Sequence, residues 1–217
     1  MSFGIAVPCH KPYYGFIPML LRSISEQTIR PNHIVISCSS WVQDMRQDFT
    51  MNGINVTILF WERIIFQAEN RNIAARELNT DYIGFFDVDD IMHPHRVEYI
   101  LRAFKDSNCD AVCHNFQTVR SNHYITPFPN NIEYSLFDRP IVKSPYTYGV
   151  IVEGDLEDKH PLHHAHVTLR KEVFDKFQYN EDASHYRIED STFLGTLANN
   201  NISIRYLDSI LSQYICM

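Results

Sequence analysis

Short apolar segments alternate with amphipathic segments along the first 119 residues, and this alternation constrains the fold more than any other feature of the chain. Apolar runs rich in β-branched residues predict buried strands at 3–7, 32–37, 54–61, 82–88 and 110–119. Apolar residues at helical spacing predict helices at 16–27, 68–79 and 93–107. We therefore expect an α/β fold, in which a mostly parallel central sheet has helices on both faces.

The pattern changes after about residue 120. Residues 121–163 are rich in Pro, Asn and Tyr, and they predict irregular structure with a small antiparallel addition that lines or covers a site. Order returns with a predicted strand at 165–170, helices at 171–177 and 189–200, and a strand at 202–207. The length suits one sizeable domain, and the sequence leaves open whether it is part of a longer polypeptide.

Composition excludes several classes of function. The formal net charge of −7 argues against a nucleic-acid backbone as a partner, because such binders carry basic patches. Five cysteines without framework spacing predict reduced thiols. No stretch approaches the roughly 20 apolar residues of a membrane span, and the first residues lack the basic segment of a secretory signal. We expect a cytoplasmic protein.

The motif DYIGFFDVDD, residues 81–90, places three carboxylates in four positions at the end of a predicted strand. Because alternate side chains of a strand share a face, Asp87 and Asp89 are expected to converge while Val88 packs inward. Their mutual repulsion calls for a positive partner, and oxygen ligands at this density suit Mg²⁺ or Mn²⁺. The alternative is an Asp-rich turn in which Asp90 caps the next helix.

Two further segments reach the same predicted edge of the sheet. Pro8, Cys9 and His10 follow the first strand, and ligands of such sheets bind at the carboxyl ends of the strands. Arg71, early in the helix at 68–79, is placed to reach a phosphate or a nucleobase. The alternative for Arg71 is an ion pair on the helix surface.

Two more groups of residues could carry chemistry. His164 and His166 are predicted to alternate along a strand and share a face. Either could be an imidazole ligand of the same cation or a donor to a phosphate, with His166 preferred; both could instead be solvent-exposed or core histidines. Glu189 and Asp190 open a predicted helix. One of them could be a general base, or both could serve only to stabilise the helix dipole.

The ordered set of motifs resembles the GT-A glycosyltransferases, most closely those of family 2. The resemblance covers residues 3–200 and is carried by VPCH after the first strand, ENRNIAARELNTDYIGFFDVDD, LRKEVFDKFQYNED and the later IED. The short length and the sequence details also look like the N-terminal glycosyltransferase domain encoded by large chlorella viruses, which would place the protein in the host cytoplasm.

The resemblance implies a GT-A (Rossmann-like) domain over 1–217, with a nucleotide-sugar-binding half at 1–119 and an acceptor-side half at 120–217. It implies metal-dependent transfer of a hexose or deoxyhexose from a nucleotide sugar, a UDP-sugar above all, to a hydroxyl of a glycan or glycoprotein acceptor. The metal would be Mn²⁺ or Mg²⁺.

The resemblance also implies roles for individual residues. Asp89 would bind the metal directly, Asp87 would contact the ribose or the metal shell, and Asp190 would face the acceptor. The implied donor-binding residues are Pro8, Cys9, His10, Ser39, Arg71, Asp87, Val88 and Asp89; the implied metal ligands are Asp87, Asp89 and His166; and the implied catalytic residues are Asp190 and Glu189. The chain departs from the family where the second strand usually ends in an Asp that reads uracil, because Ser37, Cys38, Ser39 and Ser40 stand there.

Two other functions remain open at the level of sequence. A nucleotidyltransferase also joins an α/β sheet to acidic metal ligands, but it would favour a Gly-rich phosphate loop, and PCHKPYYG has a single Gly. A catalytically silent carbohydrate-binding domain on the same scaffold is the other alternative. Retention or inversion, the sugar, the acceptor, the linkage and the oligomeric state are not set by the sequence.

Overall fold

The computed structural model describes residues 1–120, 127–155, 157, 159–182, 184 and 187–216 of the chain. The strands are β1 Phe3–His10, β2 His33–Ser39, β3 Met45–Met51, β4 Ile54–Phe60, β5 Tyr82–Phe85, β6 Ile91–Met92, β7 Ala111–Arg120, β8 Ile141–Lys143, β9 Val150–Val152, β10 Thr168–Arg170 and β11 Ile204–Cys216. The helices are α1 Ile17–Ser25, α2 Gln67–Arg76, α3 Arg96–Ser107, α4 Lys171–Phe174 and α5 Glu189–Asn199, and 3₁₀ turns lie at Lys11–Phe16 and His164–His166.

Nine of the described strands form one sheet, in the order β3-β4-β2-β1-β5-β10-β7-β11-β6. The neighbours β4, β2, β1 and β5 are parallel, as are β7 and β11, while β3, β10 and β6 run antiparallel to their neighbours. The predicted α/β class with a mostly parallel central sheet is confirmed. Strands from both halves of the chain lie in this sheet.

Helices cover both faces of the sheet, as the alternation predicts. On one face α1 and α3 pack against Ile5, Val7 and their neighbours. On the other face α2, α4 and α5 cover a second apolar layer, which includes Ala6 and Phe85. Since successive residues of a strand point to opposite faces, β1 contributes Ile5 to one layer and Ala6 to the other.

The predicted antiparallel addition is present as the β8–β9 hairpin, which contacts α5. Part of the predicted irregular region, residues 121–126, 156 and 158, lies outside the described residues. None of the helices in the described part of the chain is both long and apolar enough to span a bilayer.

Several predicted strands have other bounds. The first strand, predicted to end before Pro8, continues to His10, and the last, predicted at 202–207, runs from Ile204 to Cys216. The strand predicted at 82–88 ends at Phe85, and the strand predicted at 165–170 begins only at Thr168. The cause is the guanidinium of Arg96, which donates to the carbonyl oxygens of Phe85 at 3.2 Å and His166 at 3.1 Å and satisfies them where β5 and β10 separate. The prediction that His164 and His166 alternate along a strand is therefore wrong, because they belong to a 3₁₀ turn.

Candidate active site

A cavity of about 520 Å³ opens at the carboxyl ends of β1 and β5. The first turns of α2 and α5 and the end of β11 complete its wall. The lining residues are Pro8, Cys9, His10, Tyr13, Ile64, Ile65, Phe66, Gln67, Asn70, Arg71, Asp87, Val88, Asp89, His163, Glu189, Asp190 and Tyr214. The structure thus gathers at one cavity all the predicted donor-binding and catalytic residues except Ser39.

The parallel pairing of β1 with β2 builds one end of the cavity. The register aligns His10 with Ser39, and Ser39 is fully buried with its hydroxyl 2.9 Å from His10 Nδ1. Ser40 Oγ lies 3.3 Å from the same nitrogen. The serines that replace the expected aspartate therefore orient the ring of His10 from behind the cavity wall.

Asn70, which sequence reasoning did not single out, fixes the backbone of this end. Its Nδ2 donates to the carbonyl oxygen of Cys9 at 2.9 Å, and its Oδ1 accepts from the hydroxyl of Ser37 at 2.5 Å. The side chain joins α2 to the ends of both strands. Asn70 directly precedes Arg71 in the sequence, and this position beside a predicted site residue is the signal that could have identified it.

Arg71 is buried, with 3% of its surface exposed, so the surface ion-pair alternative for this residue is wrong. Its guanidinium donates to Asp87 Oδ1 at 2.8 Å and to Glu189 Oε1 at 2.7 Å. Burial disfavours the charge of Arg71, but the surrounding carboxylates, Asp87 foremost, outweigh burial and raise its pKa. Arg71 therefore supplies part of the positive charge that the acidic motif requires.

The charge in the cavity is not balanced by Arg71 alone. Among the described lining residues, four carboxylates (Asp87, Asp89, Glu189 and Asp190) face this one guanidinium. Burial raises the pKa of Asp89 to about 6, and the negative charge of Asp87 adds to the rise. The cavity therefore favours a ligand that brings positive charge.

The acidic motif itself forms a turn rather than the end of a strand. The backbone N–H of Asp90 donates to the carbonyl oxygen of Asp87 at 3.3 Å, while Val88 packs into the core as expected. The turn leaves Asp89 half-buried in the cavity wall and Asp90 fully buried behind it. Burial and the charge of Asp87 raise the pKa of Asp90 well above its usual range.

The histidine segment forms a second turn against the first. Side chains at i and i+3 eclipse in 3₁₀ geometry, and the rings of His163 and His166 stack with their centroids 4.0 Å apart. His166 Nε2 lies 2.9 Å from Asp90 Oδ2, and His163 Nε2 lies 3.8 Å from the same oxygen. His163 reaches the cavity, whereas His166 lies behind it, fully buried.

One atom from each of Asp87, Asp90, His163 and His166 lies within 4.8 Å of the others. Oxygen and imidazole donors at this spacing fit a divalent metal ion. Of the predicted metal ligands, Asp87 and His166 belong to this group and Asp89 lies beside it. Asp90 and His163 were not predicted as ligands, because a strand pattern of period two grouped Asp87 with Asp89 and His164 with His166.

The two carboxylates at the start of α5 differ in their partners. Glu189 is buried against Arg71, whereas Asp190 is half-buried and accepts from the backbone N–H of Ser191 at 2.7 Å. No ion pair of Asp190 is found among the described residues. Asp190 is therefore the carboxylate that remains available to take a proton from a molecule in the cavity.

Comparison with known proteins identifies the family of this chain. Residues 5–177 match the family described as Glycosyl transferase family 2. This chain belongs to that family. An uncharacterized glycosyltransferase of Haemophilus influenzae is 28% identical over 120 residues, which are 54% of this chain and 40% of that protein.

Solved structures of S. aureus TarS share the fold of this family 2 chain. The crystal structure of TarS 1–349 in complex with UDP has a TM-score of 0.67 at 17% identity and covers 100% of this chain and 61% of that chain. The complex with UDP-GlcNAc has a TM-score of 0.68 at 16% identity and covers 100% of this chain and 59% of that chain. The chain thus spans about three fifths of these TarS chains and about two fifths of the curated relative.

Proposed function

We propose that this chain is a metal-dependent glycosyltransferase domain that moves a hexose or deoxyhexose from a UDP-sugar to a hydroxyl of a glycan or glycoprotein acceptor. One observation carries the proposal: the ends of β1 and β5 and the start of α5 bring Asp87, Asp89 and Asp190 to one cavity of about 520 Å³. Membership of family 2 supports the reaction class, and TarS, which shares the fold, has been crystallised with UDP and UDP-GlcNAc.

In this proposal the nucleotide lies along the ends of β1 and β2. Pro8, Cys9 and His10 border the base, and Ser39 acts from behind by orienting His10. Asn70 holds the carbonyl oxygen of Cys9, which stiffens this end before a ligand arrives. Recognition of uracil would then depend on backbone groups and His10.

The diphosphate lies toward Asp87 and Asp89 in the same proposal. Mn²⁺ or Mg²⁺, when bound at these carboxylates, would supply Lewis-acid stabilisation of the charge on the departing diphosphate. Arg71 holds Asp87 in place through its hydrogen bond to Oδ1. Asp89 is half-buried beside the negative charge of Asp87, and both effects raise its pKa to about 6. A cation bound beside Asp89 would offset this negative charge, so the position favours a cation.

Asp190 acts as the general base. The acceptor hydroxyl gives its proton to the Asp190 carboxylate, its oxygen bonds to the anomeric carbon, and the bond from that carbon to the diphosphate oxygen breaks with its electron pair on UDP. Glu189 serves less well, because Arg71 holds its Oε1 in a buried ion pair that stabilises the unprotonated carboxylate. Glu189 instead positions the first turn of α5.

A donor panel tests the proposal. Thermal unfolding is measured with UDP-, GDP- and CMP-sugars, each with Mn²⁺ and with EDTA. We expect stabilisation by a UDP-sugar with Mn²⁺, about 2.7 kcal/mol at a concentration 100 times Kd, and a loss of that stabilisation in Asp89→Ala. Asp175→Asn, an exposed carboxylate paired with Lys171 outside the cavity, is the matched control and should behave as wild type.

Other outcomes separate the competing functions. Stabilisation by UDP-sugar without any release of UDP would indicate a silent binding domain. Formation of a UDP-sugar from UTP and a sugar 1-phosphate, without transfer to water or glycan, would indicate a nucleotidyltransferase. The cytoplasmic placement and the resemblance to chlorella-virus domains stay predictions.

A further inference from the structure

The buried carboxylate of Asp90 lacks a hydrogen-bond partner on one oxygen. Asp90 is 0% exposed, and its Oδ1 accepts from the backbone N–H of Ile215 at 2.9 Å. Its Oδ2 is buried and has no hydrogen bond within the part of the chain that the structure describes. A buried carboxylate oxygen left in this state is costly unless something positive or a proton meets it.

Two imidazole nitrogens are the atoms that face this oxygen. His166 Nε2 lies 2.9 Å from Asp90 Oδ2 and His163 Nε2 lies 3.8 Å from it. His166 Nε2 also accepts weakly from the backbone N–H of Asp87 at 3.5 Å, which favours the tautomer that carries its proton on Nδ1, toward Ser212 Oγ, and leaves a lone pair on Nε2. Lone pairs of nitrogen and oxygen that face each other repel, and a cation between them removes the repulsion.

The spacing of the four donors suits an ion. Adjacent ligands of an octahedral ion bound at about 2.1 Å lie about 3 Å apart, close to the 2.9 Å between His166 Nε2 and Asp90 Oδ2. All four donor atoms of Asp87, Asp90, His163 and His166 lie within 4.8 Å of one another. His163 borders the cavity, which gives an ion a path from solvent.

The groups behind the donors hold them in place. His166 Nδ1 lies 3.0 Å from Ser212 Oγ, and the His166 ring stacks on Phe86 with centroids 4.2 Å apart. Ile215 fixes Asp90, and the backbone of Asp87 closes the turn to Asp90. Partners of this kind orient metal ligands, and removing one weakens metal affinity by roughly 10–100-fold.

We propose that Asp87, Asp90, His163 and His166 form an inner metal site that binds a transition-metal cation before the nucleotide arrives, and that Asp89 is not needed for this binding. The inference deepens the proposed function and rests on its donor site. Two imidazoles among the four donors select Mn²⁺, Co²⁺ or Zn²⁺ over Mg²⁺, since Mg²⁺ prefers oxygen and water. Asp89 then remains on the cavity side, and it contributes to metal binding only once the diphosphate is bound.

The test measures the binding of Mn²⁺ alone to the EDTA-treated chain. Titration of the free-ion EPR signal gives the number of bound ions and their affinity, and pulsed EPR detects coupling of the bound ion to ¹⁴N. We expect one bound Mn²⁺ with nitrogen coupling, and Mn²⁺ binding at least about tenfold tighter than Mg²⁺ binding in competition. Asp90→Asn and His163→Gln should each weaken binding about tenfold or more, and Ser212→Ala by roughly 10–100-fold. Asp89→Asn should leave it unchanged, as should His95→Gln, a half-exposed histidine of the protein surface.

Two results would overturn the inner site. One is Mn²⁺ coupling without nitrogen, or binding lost in Asp89→Asn but kept in His163→Gln, which would put the ion on the outer carboxylates. The other is no Mn²⁺ binding without nucleotide, which would leave the Asp90–His166 contact as a neutral hydrogen bond; far-UV circular dichroism identifies any variant that has unfolded. Nitrogen-coupled Mn²⁺ in a chain that binds no nucleotide sugar would keep the site and remove the proposed function.

Discussion

The guanidinium of Arg71 and the carboxylate of Glu189 meet at 2.7 Å in the interior of the protein, joined across 118 positions of the chain. The other arm of the same guanidinium binds Asp87. One side chain therefore links the acidic turn after β5 to the first turn of α5. This link fixes the donor side of the cavity relative to Asp190.

We predict that breaking this pair destabilises the protein strongly. Arg71→Met leaves the buried Glu189 and the partly buried Asp87 without their cationic partner, and the free energy of unfolding should fall by about 3–5 kcal/mol. Glu189→Gln should cost less, because Arg71 keeps Asp87. In a double-mutant cycle by urea unfolding, the double variant should lose less than the sum of the single variants by about 1 kcal/mol or more.

The Arg22–Glu26 pair at the surface of α1 provides the matched control. It has the same residue types at 3.1 Å, but both side chains are mostly exposed. Its double-mutant cycle should give a coupling of about 0.5 kcal/mol or less. Equal couplings for the two pairs would show that the buried link does not hold the site together.

We predict that His93 makes stability depend on pH. Burial lowers the pKa of His93 to about 4, with a smaller contribution from His95. Between about pH 4 and 6.5 the unfolded chain binds a proton at this position and the folded chain does not, so stability falls as the pH falls through this window. The slope from one such group is at most about 1.4 kcal/mol per pH unit.

His93→Asn separates this effect from others. The Asn side chain can keep the acceptor that His93 Nδ1 offers to the backbone N–H of His95 at 3.2 Å, but it does not titrate. Urea unfolding at pH 7.5, 6 and 5 should show a shallower loss of stability in the variant than in wild type. Identical slopes would mean that His93 is protonated in the folded protein.

We predict that Gly195→Ala disturbs the contact between α5 and the β8–β9 hairpin. A Cβ at this position would collide with the backbone carbonyl oxygen of Tyr148. Overpacking against backbone costs about 1–3 kcal/mol, which exceeds or offsets the roughly 1 kcal/mol that Ala gains over Gly in a helix. Gly15→Ala, where no atom lies within 4 Å of the added Cβ, should cost no stability in the same denaturant series. Stabilisation by Gly195→Ala would contradict the packing described here.

The alternation of apolar and amphipathic segments was enough to predict the sheet, because each buried strand needs helices on both faces. It also predicted the cavity edge, since Pro8–His10 end β1 and Asp87–Asp89 follow β5, and these two strands are parallel neighbours in the sheet. These inferences depend on where the strands lie in the chain, and an error of a few residues at the end of a strand changes neither the predicted sheet nor the predicted cavity edge.

The contacts within the site depend on those ends, and at two places the chain turns where the strand pattern predicts that the strand continues. A strand pattern pairs residues two apart, which grouped Asp87 with Asp89 and His164 with His166. The chain turns at both places, so residues three apart meet instead: Asp87 with Asp90, and His163 with His166. The cause, the buried guanidinium of Arg96, comes from a different element and could not be read from either segment.

The β3–β4 hairpin was missed although the sequence marks it. Asn52 and Gly53 both adopt positive φ, 51° and 82°, between two paired strands. Asn-Gly flanked by strands is a strong local signal for a two-residue hairpin turn. The polar, exposed character of β3 concealed it, since five of its seven residues face solvent and gave no apolar run.

The central claim is that Asp190 takes the acceptor proton opposite a diphosphate held at Asp87 and Asp89. Its most direct test compares Asp190→Asn with wild type for UDP release from the best UDP-sugar in the presence of Mn²⁺, with donor affinity measured by calorimetry. Glu172→Gln, at the same position in the first turn of α4, is the control. We predict donor affinity within about twofold and turnover reduced about 100-fold or more in Asp190→Asn, with both unchanged in Glu172→Gln; undiminished turnover in Asp190→Asn would contradict the account.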